Sequence, residues 1–328
     1  MDIRKILKVS SVISLVAILA SCTYFQPVEE KLPPLRVEYT NWWGDFTILV
    51  AQELGLFKKY GVDVEPVYFE VLSSALPELA TGSVDGGLFS LDEALITDSK
   101  SALVLVALYD DGGYNYVVGS SEIKTPADLR GRKIGVNLGT IGELFVMRAL
   151  IEGSLTTRDV VLIDTDAEDI PSAIGSEIDA GYAGDPYASE VLAAGGNLLY
   201  RSGGTNSITP NAIVFRKDVV QQRPDDIRAF LQAWFEAVDY RNANPEQANQ
   251  LIASAMRVSV DEIAVNSTLF TAKDNGALFS DQPSAGQTNL KKALNTNAEF
   301  LIRIGALSKK PIQNELIDPG YLPLQPVK

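Results

Sequence analysis

From Leu35 onward the chain alternates short β-rich runs with helix-patterned runs, which restricts it to βαβ units wound about a largely parallel sheet. RVEYT reads as a strand, FTILVAQELGLFKKYG as a helix closed by Gly61, VDVEPVYF as a second strand and SALPELATG as a helix stopped by Gly82. VDGGLFS, LDEALITDS and ALVLVALY continue the order. RKIGVNLG, GELFVMRALIEG, DVVLID, AEDIPSAIGSE, IDAGYAG and PYASEVLAAGG then repeat it. The pattern predicts an α/β protein with two doubly wound lobes. The C-terminal third turns helical: DDIRAFLQAWFEAVDYR sets Ile227, Phe230, Leu231, Trp234, Phe235 and Val238 on one face, which makes Trp234 a core residue. Asn244-Pro245 and Ser259-Val260-Asp261-Glu262 read as helix starts, the first with proline at N1 and the second as a capping box.

Composition narrows the chemistry. Among 328 residues, 28 are basic and 42 acidic, a net charge of −14 that disfavours nucleic acid as a partner. The absence of histidine removes Ser-His-Asp and Cys-His catalysis, histidine-ligated zinc or haem, and the histidine pH switch. A single cysteine excludes an internal disulfide and a CxxC redox pair. What remains is binding, or catalysis by carboxylates, lysine or a bound cofactor. No metal site is expected, and the binding reading calls for no cofactor.

At the N-terminus, Arg4, Lys5 and Lys8 precede an apolar run from Val9 to Ala20, too short to span a bilayer but of the length of a secretory h-region. The following Leu19-Ala20-Ser21-Cys22 resembles the cleavage box of a bacterial lipoprotein signal. That resemblance implies removal of residues 1–21 and acylation of Cys22, the only cysteine. Residues 22–34 then form a proline-bearing tether, and the protein is exported and membrane-bound through its lipid alone, facing the periplasm or the cell exterior.

In open α/β sheets, ligands bind outside the carboxyl ends of the strands. The rule selects Trp42, Trp43 and Asp45 after the first strand, Ser90 and Asp92 after the third, and Tyr109 after the fourth. In the second copy it selects Asn137, Gly139, Thr140, Asp185 and Tyr187. Adjacent tryptophans in extended backbone point opposite ways, so one of Trp42 and Trp43 is core while the other lines a cleft. Ser90-x-x-Glu93 and Thr140-x-x-Glu143 have capping-box spacing, and each glutamate either caps its helix or meets a ligand. Asp185 before Pro186 is open between an N-cap and a ligand contact. The Gly139–Gly142 amides offer a seat for an anionic or polar atom.

The segments WWGDFTILVAQELGLFKKYGVDVE, ELATGSVDGGLFSLDEAL, KTPADLRGRKIGVNLGT and EIDAGYAGDPYASEVLAAGG resemble, in order, the solute-binding proteins of ABC importers in the nitrate/sulfonate/taurine/thiamine-precursor group. The resemblance implies a type II periplasmic-binding-protein fold: two lobes with hinge crossings near Val118 and Ile213, and a helical C-terminal extension. Residues 35–118 and 214–328 would form lobe 1, and residues 119–213 lobe 2. It implies a non-enzymatic, monomeric receptor that traps a small-molecule solute by hinge closure and delivers it to an ABC permease and ATPase. Pyrimidine-synthase relatives need histidine and a cysteine-rich stretch that this chain lacks. Asp45, Asp92, Glu93, Asp110, Asp111 and Asp185 crowd the candidate rim with no lysine or arginine in those loops, which favours a neutral or cationic, heteroaromatic solute over a sulfonate or nitrate. A ligand sensor signalling to a membrane receptor and a surface enzyme are the rival readings.

Overall fold

The structure, a computed structural model, describes residues 32–70, 75–203, 207–263, 267–280 and 290–323. The expected signal, Cys22 and most of the tether lie outside them. Among the described residues ten strands form two sheets: β1 (Leu35–Tyr39), β2 (Val64–Tyr68), β3 (Gly86–Ser90), β4 (Leu103–Asp110), β5 (Asn115–Gly119), β6 (Lys133–Val136), β7 (Val161–Asp164), β8 (Ala180–Ala183), β9 (Asn197–Ser202) and β10 (Asn211–Arg216). The first sheet runs β2-β1-β3-β10-β4 and the second β7-β6-β8-β5-β9. Each sheet is mixed: β10 is antiparallel to β3 and β4, and β5 is antiparallel to β8 and β9. These two antiparallel strands are the ones that enter from the other lobe.

Both faces of the first sheet are covered, so its strands are largely apolar, Glu38 of β1 being a buried exception. Every residue of β4 is buried. On one face Val37, Ile213 and Phe215 pack with Ile48, Phe230 and Trp234 from the helices Thr47–Glu53 and Pro224–Ala243. Trp234 is fully buried, as its helical spacing predicts, and burial of a side chain this size contributes roughly 1.5–3 kcal/mol. The opposite face packs Phe89, Leu105 and Val214 with Leu91, Leu95, Leu294 and Leu301 of the helices Leu91–Asp98 and Leu290–Arg303.

The helix Ile141–Glu152 serves both lobes. Phe145, Val146, Ala149 and Leu150 face the second-lobe core, while Leu144 joins the first-lobe cluster of Leu91 and Leu95. A Cβ at Gly142 would lie 2.6 Å from the Tyr182 ring, so glycine is what lets the helix approach β8.

Three expectations shift. The helix expected over 46–61 is two helices, Thr47–Glu53 and Leu56–Lys59, because Gly55 adopts a left-handed φ of 66° between them. The Ser259 capping box forms, but over a single 3-10 turn, Val260–Glu262. Val118 and Ile213 lie inside β5 and β10 and are held by ladder pairing. The chain therefore crosses between sheets from Asp110 of β4 to Asn115 of β5 and from Ser202 of β9 to Asn211 of β10.

Candidate functional site

The carboxyl ends of β1 to β4 and the start of β10 surround a cavity of about 440 Å³. Trp42, Asp45, Ser90 and Tyr109, expected from the sequence, line it together with Thr40, Asn41, Glu70, Leu88, Glu93, Gly112 and Asn211.

Asp45 in its wall, and Asp110 and Asp111 at the end of β4 beside it, are held by internal donors. Asp45 Oδ2 accepts the Thr40 N–H and hydroxyl, each at 2.8 Å, and Oδ1 accepts the Tyr109 hydroxyl at 2.6 Å. Asp110 Oδ2 accepts the Trp42 indole N–H at 2.6 Å and the Ser267 hydroxyl at 2.9 Å, while Oδ1 accepts the Gly112 N–H at 2.9 Å. Asp111 takes the N–H groups of Gly113 and Thr268. All three carboxylates are buried. They act as internal acceptors that fix the loops after β1 and β4, a role that spacing does not reveal.

Glu93 accepts from both the N–H and the hydroxyl of Ser90, which is the capping role its spacing allows, while still lining the cavity. Beneath it, Glu38 is fully buried, with Oε2 accepting the Leu88 N–H at 3.2 Å and Oε1 without a partner among the described residues. Burial, then the charge of Asp45, holds Glu38 well above the ordinary carboxylate range. Burial likewise pushes Asp45 up to about 7 and Asp110 to about 6; burial and the neighbouring Asp92 push Glu93 to about 7.

The compensating cation comes from the helix Pro224–Ala243. Arg241 is buried, donates to Thr47 Oγ1 at 2.6 Å, Trp43 O at 3.0 Å and Gly44 O at 3.3 Å, and lies 4.1 Å above the Trp43 ring. Burial lowers it to about 9, opposed by the charges of Asp110 and Asp45. The two tryptophans thus divide: Trp42 faces the cavity and Trp43 packs under Arg241.

The remaining sequence candidates do not line the cavity. Asp92 sits in the first turn of Leu91–Asp98, close enough to Tyr182 of the second lobe that burial and then its charge push that phenol to about 12. Asn137 donates to Asp166 at 2.6 Å and is exposed. The Gly139 N–H donates to Glu143 and the Gly142 N–H to Thr140 Oγ1, so side chains of the helix itself occupy the expected anion seat. Asp185 accepts from the Ser189 N–H and hydroxyl and from Tyr116. Tyr187 opens the helix that follows Pro186. Sequence reasoning missed Thr40, Glu38, Asn211 and Arg241. Their positions at a strand end, inside a strand and on a distant helix carry no local motif, and only the strand-end rule could have reached Thr40.

Two five-stranded mixed α/β lobes, joined by two crossings with a cavity beside them, define a protein of the periplasmic-binding-protein fold. The chain belongs to the NMT1/THI5-like family, whose model matches residues 45–248. It is 29% identical over 260 residues to a candidate binding protein of Brucella abortus, covering 76% of this chain and 78% of the relative. It is 26% identical over 264 residues to the taurine-binding periplasmic protein of Escherichia coli, covering 77% and 81%. The crystal structure of the periplasmic aliphatic sulphonate binding protein of Escherichia coli matches with a TM-score of 0.65 and 20% identity, over 90% of this chain and 93% of that one.

Proposed function

We propose that this chain is the extracytoplasmic solute-binding component of an ABC importer, held to the membrane by a lipid on Cys22. The observation that carries the reading is the cavity at the strand ends beside both crossings, in a family whose relatives carry binding-protein names. A solute touching both lobes stabilises the closed arrangement by its differential affinity, and a permease reads that state. The connection from β4 to β5 and the one from β9 to β10 serve as the hinges. Asp45 and Glu93 line the cavity with Glu38 and Asp110 buried close by, no lysine or arginine among the described residues lines it, and Arg241 is turned away toward Trp43. That polarity supports a neutral or cationic solute stacked on Trp42 over a free oxyanion.

A thermal-shift panel on the full chain in detergent tests the reading with nitrate, ethanesulfonate, taurine, cytosine and ethylammonium, because a ligand of the folded state raises Tm by mass action. Shifts with cytosine or ethylammonium support the acidic site. A shift only with nitrate or ethanesulfonate overturns the solute class and leaves the receptor role. Turnover of a bound solute would make the chain an enzyme on this fold. Replacing Cys22 with serine should release the protein from membranes, and unchanged membrane retention would refute the anchor.

A further inference from the structure

Asn211 is the first residue of β10, seated between Ser90 of β3 and Asp110 of β4 where the second crossing enters the first sheet. Strand alternation puts it on the face of Ile213 and Phe215, which pack with Leu88 and Tyr109; the latter two line the cavity. It is only 7% exposed and lines the cavity itself. Its carboxamide offers two donors and one acceptor oxygen, and among the described residues that side chain makes no hydrogen bond to protein. The unpartnered atoms of Glu38 and Trp43 are sealed from solvent, whereas the Asn211 amide reaches the cavity space.

Most of its polar neighbours in the wall are committed elsewhere, and the two that are not, Asn41 and Glu70, are exposed to solvent. Thr40 and Tyr109 donate to Asp45, Ser90 donates to Glu93, and the Trp42 indole and the Gly112 N–H donate to Asp110. A largely buried amide without a protein partner is costly unless something else pairs with it. We propose that Asn211 is the specificity-determining residue of the site, its carboxamide exchanging a pair of hydrogen bonds, one given and one received, with a solute held against Trp42. The proposal rests on the binding function above and names the group that reads the solute. Thr209, two residues upstream, packs its carbonyl against Gly112 of the first crossing, so Asn211 joins the solute to the point where the crossings touch.

Calorimetric titration of the full chain with cytosine and taurine tests it, each probe offering a donor and an acceptor within reach of one amide. Asn211→Ala should weaken the probe that binds by about 10- to 100-fold, with an unliganded Tm within roughly 2 °C of the parent because no protein hydrogen bond is lost. Asn211→Asp, similar in shape but without the donor, should not restore affinity. If Asn211→Ala binds normally while Trp42→Ala loses binding, the proposal falls and the site stands. Normal binding by both variants moves the solute out of this cavity and overturns both. A parent chain that binds neither probe at millimolar concentration also overturns the proposal.

Discussion

The indole N–H of Trp42 and the carboxylate of Asp110 meet at 2.6 Å, tying the loop after β1 to the last residue of β4. The bond turns the ring toward the cavity and consumes an acidic group that would otherwise face a solute. Trp42→Phe keeps an aromatic face but deprives a buried carboxylate of a donor, and should cost about 1–3 kcal/mol in urea denaturation. Trp42→Ala should in addition weaken solute binding about tenfold or more, from lost stacking and area. Equal stability of Trp42→Phe and the parent would show that the bond contributes nothing.

Stability should fall as pH rises. Burial raises Asp45 and Glu93 to about 7 and Asp110 to about 6, against about 4 in the unfolded chain. A carboxyl raised in the folded state binds more protons folded than unfolded. Its stabilisation is complete below about pH 4, is lost through the folded values, and levels off above them. Tm measured from pH 5 to pH 8 should therefore drop. Glu38→Gln removes a buried charge and should raise Tm more at pH 8 than at pH 5, by a few degrees. A flat profile would mean these groups are not protonated in the fold.

Gly112 has a left-handed φ of 72°, and a Cβ there would lie 2.0 Å from the Thr209 carbonyl oxygen. Gly112→Ala should destabilise the chain by about 2–4 kcal/mol, since both backbone strain and a clash between the crossings oppose it. Gly139 also has φ above zero, yet open space surrounds it. Gly139→Ala should cost only the strain, about 1 kcal/mol. Similar losses in the two variants, compared by thermal melts, would contradict close packing of the crossings.

Arg241 is the buried cation facing Asp45 and Asp110. Arg241→Met keeps much of the volume but removes charge and donors, and should cost about 3–5 kcal/mol at pH 8. The loss should shrink at pH 5, where more of the carboxyls are neutral. Lysine should rescue poorly, because three acceptors are served by a planar fork lying on Trp43. A pH-independent loss would assign Arg241 to packing alone.

Much of this was legible in the residues. Strand and helix periods gave the alternating elements, and helical spacing placed Trp234 in the core, because each is a property of a short window. Ser90-x-x-Glu93 announced its cap for the same reason. The strand-end rule found Trp42, Asp45, Ser90 and Tyr109, since topology alone brings those positions to one edge. It equally nominated Asn137, Thr140 and Asp185, which the second sheet carries to its own strand ends and which are held by Asp166, Gly142 and Ser189.

Tertiary structure alone decided which acidic residues face the cavity and which are held behind it. A carboxylate's role depends on the donors that reach it, and those of Asp110 come from Trp42, Gly112 and Ser267, up to 157 residues away. The exact crossings were hidden too, because β5 and β10 look like ordinary strands until their antiparallel partners are known. Local sequence determined the elements and the sheet edge where a ligand could sit; long-range hydrogen bonding and packing, which no short window encodes, determined that Asn211 opens on the cavity and that Arg241 does not.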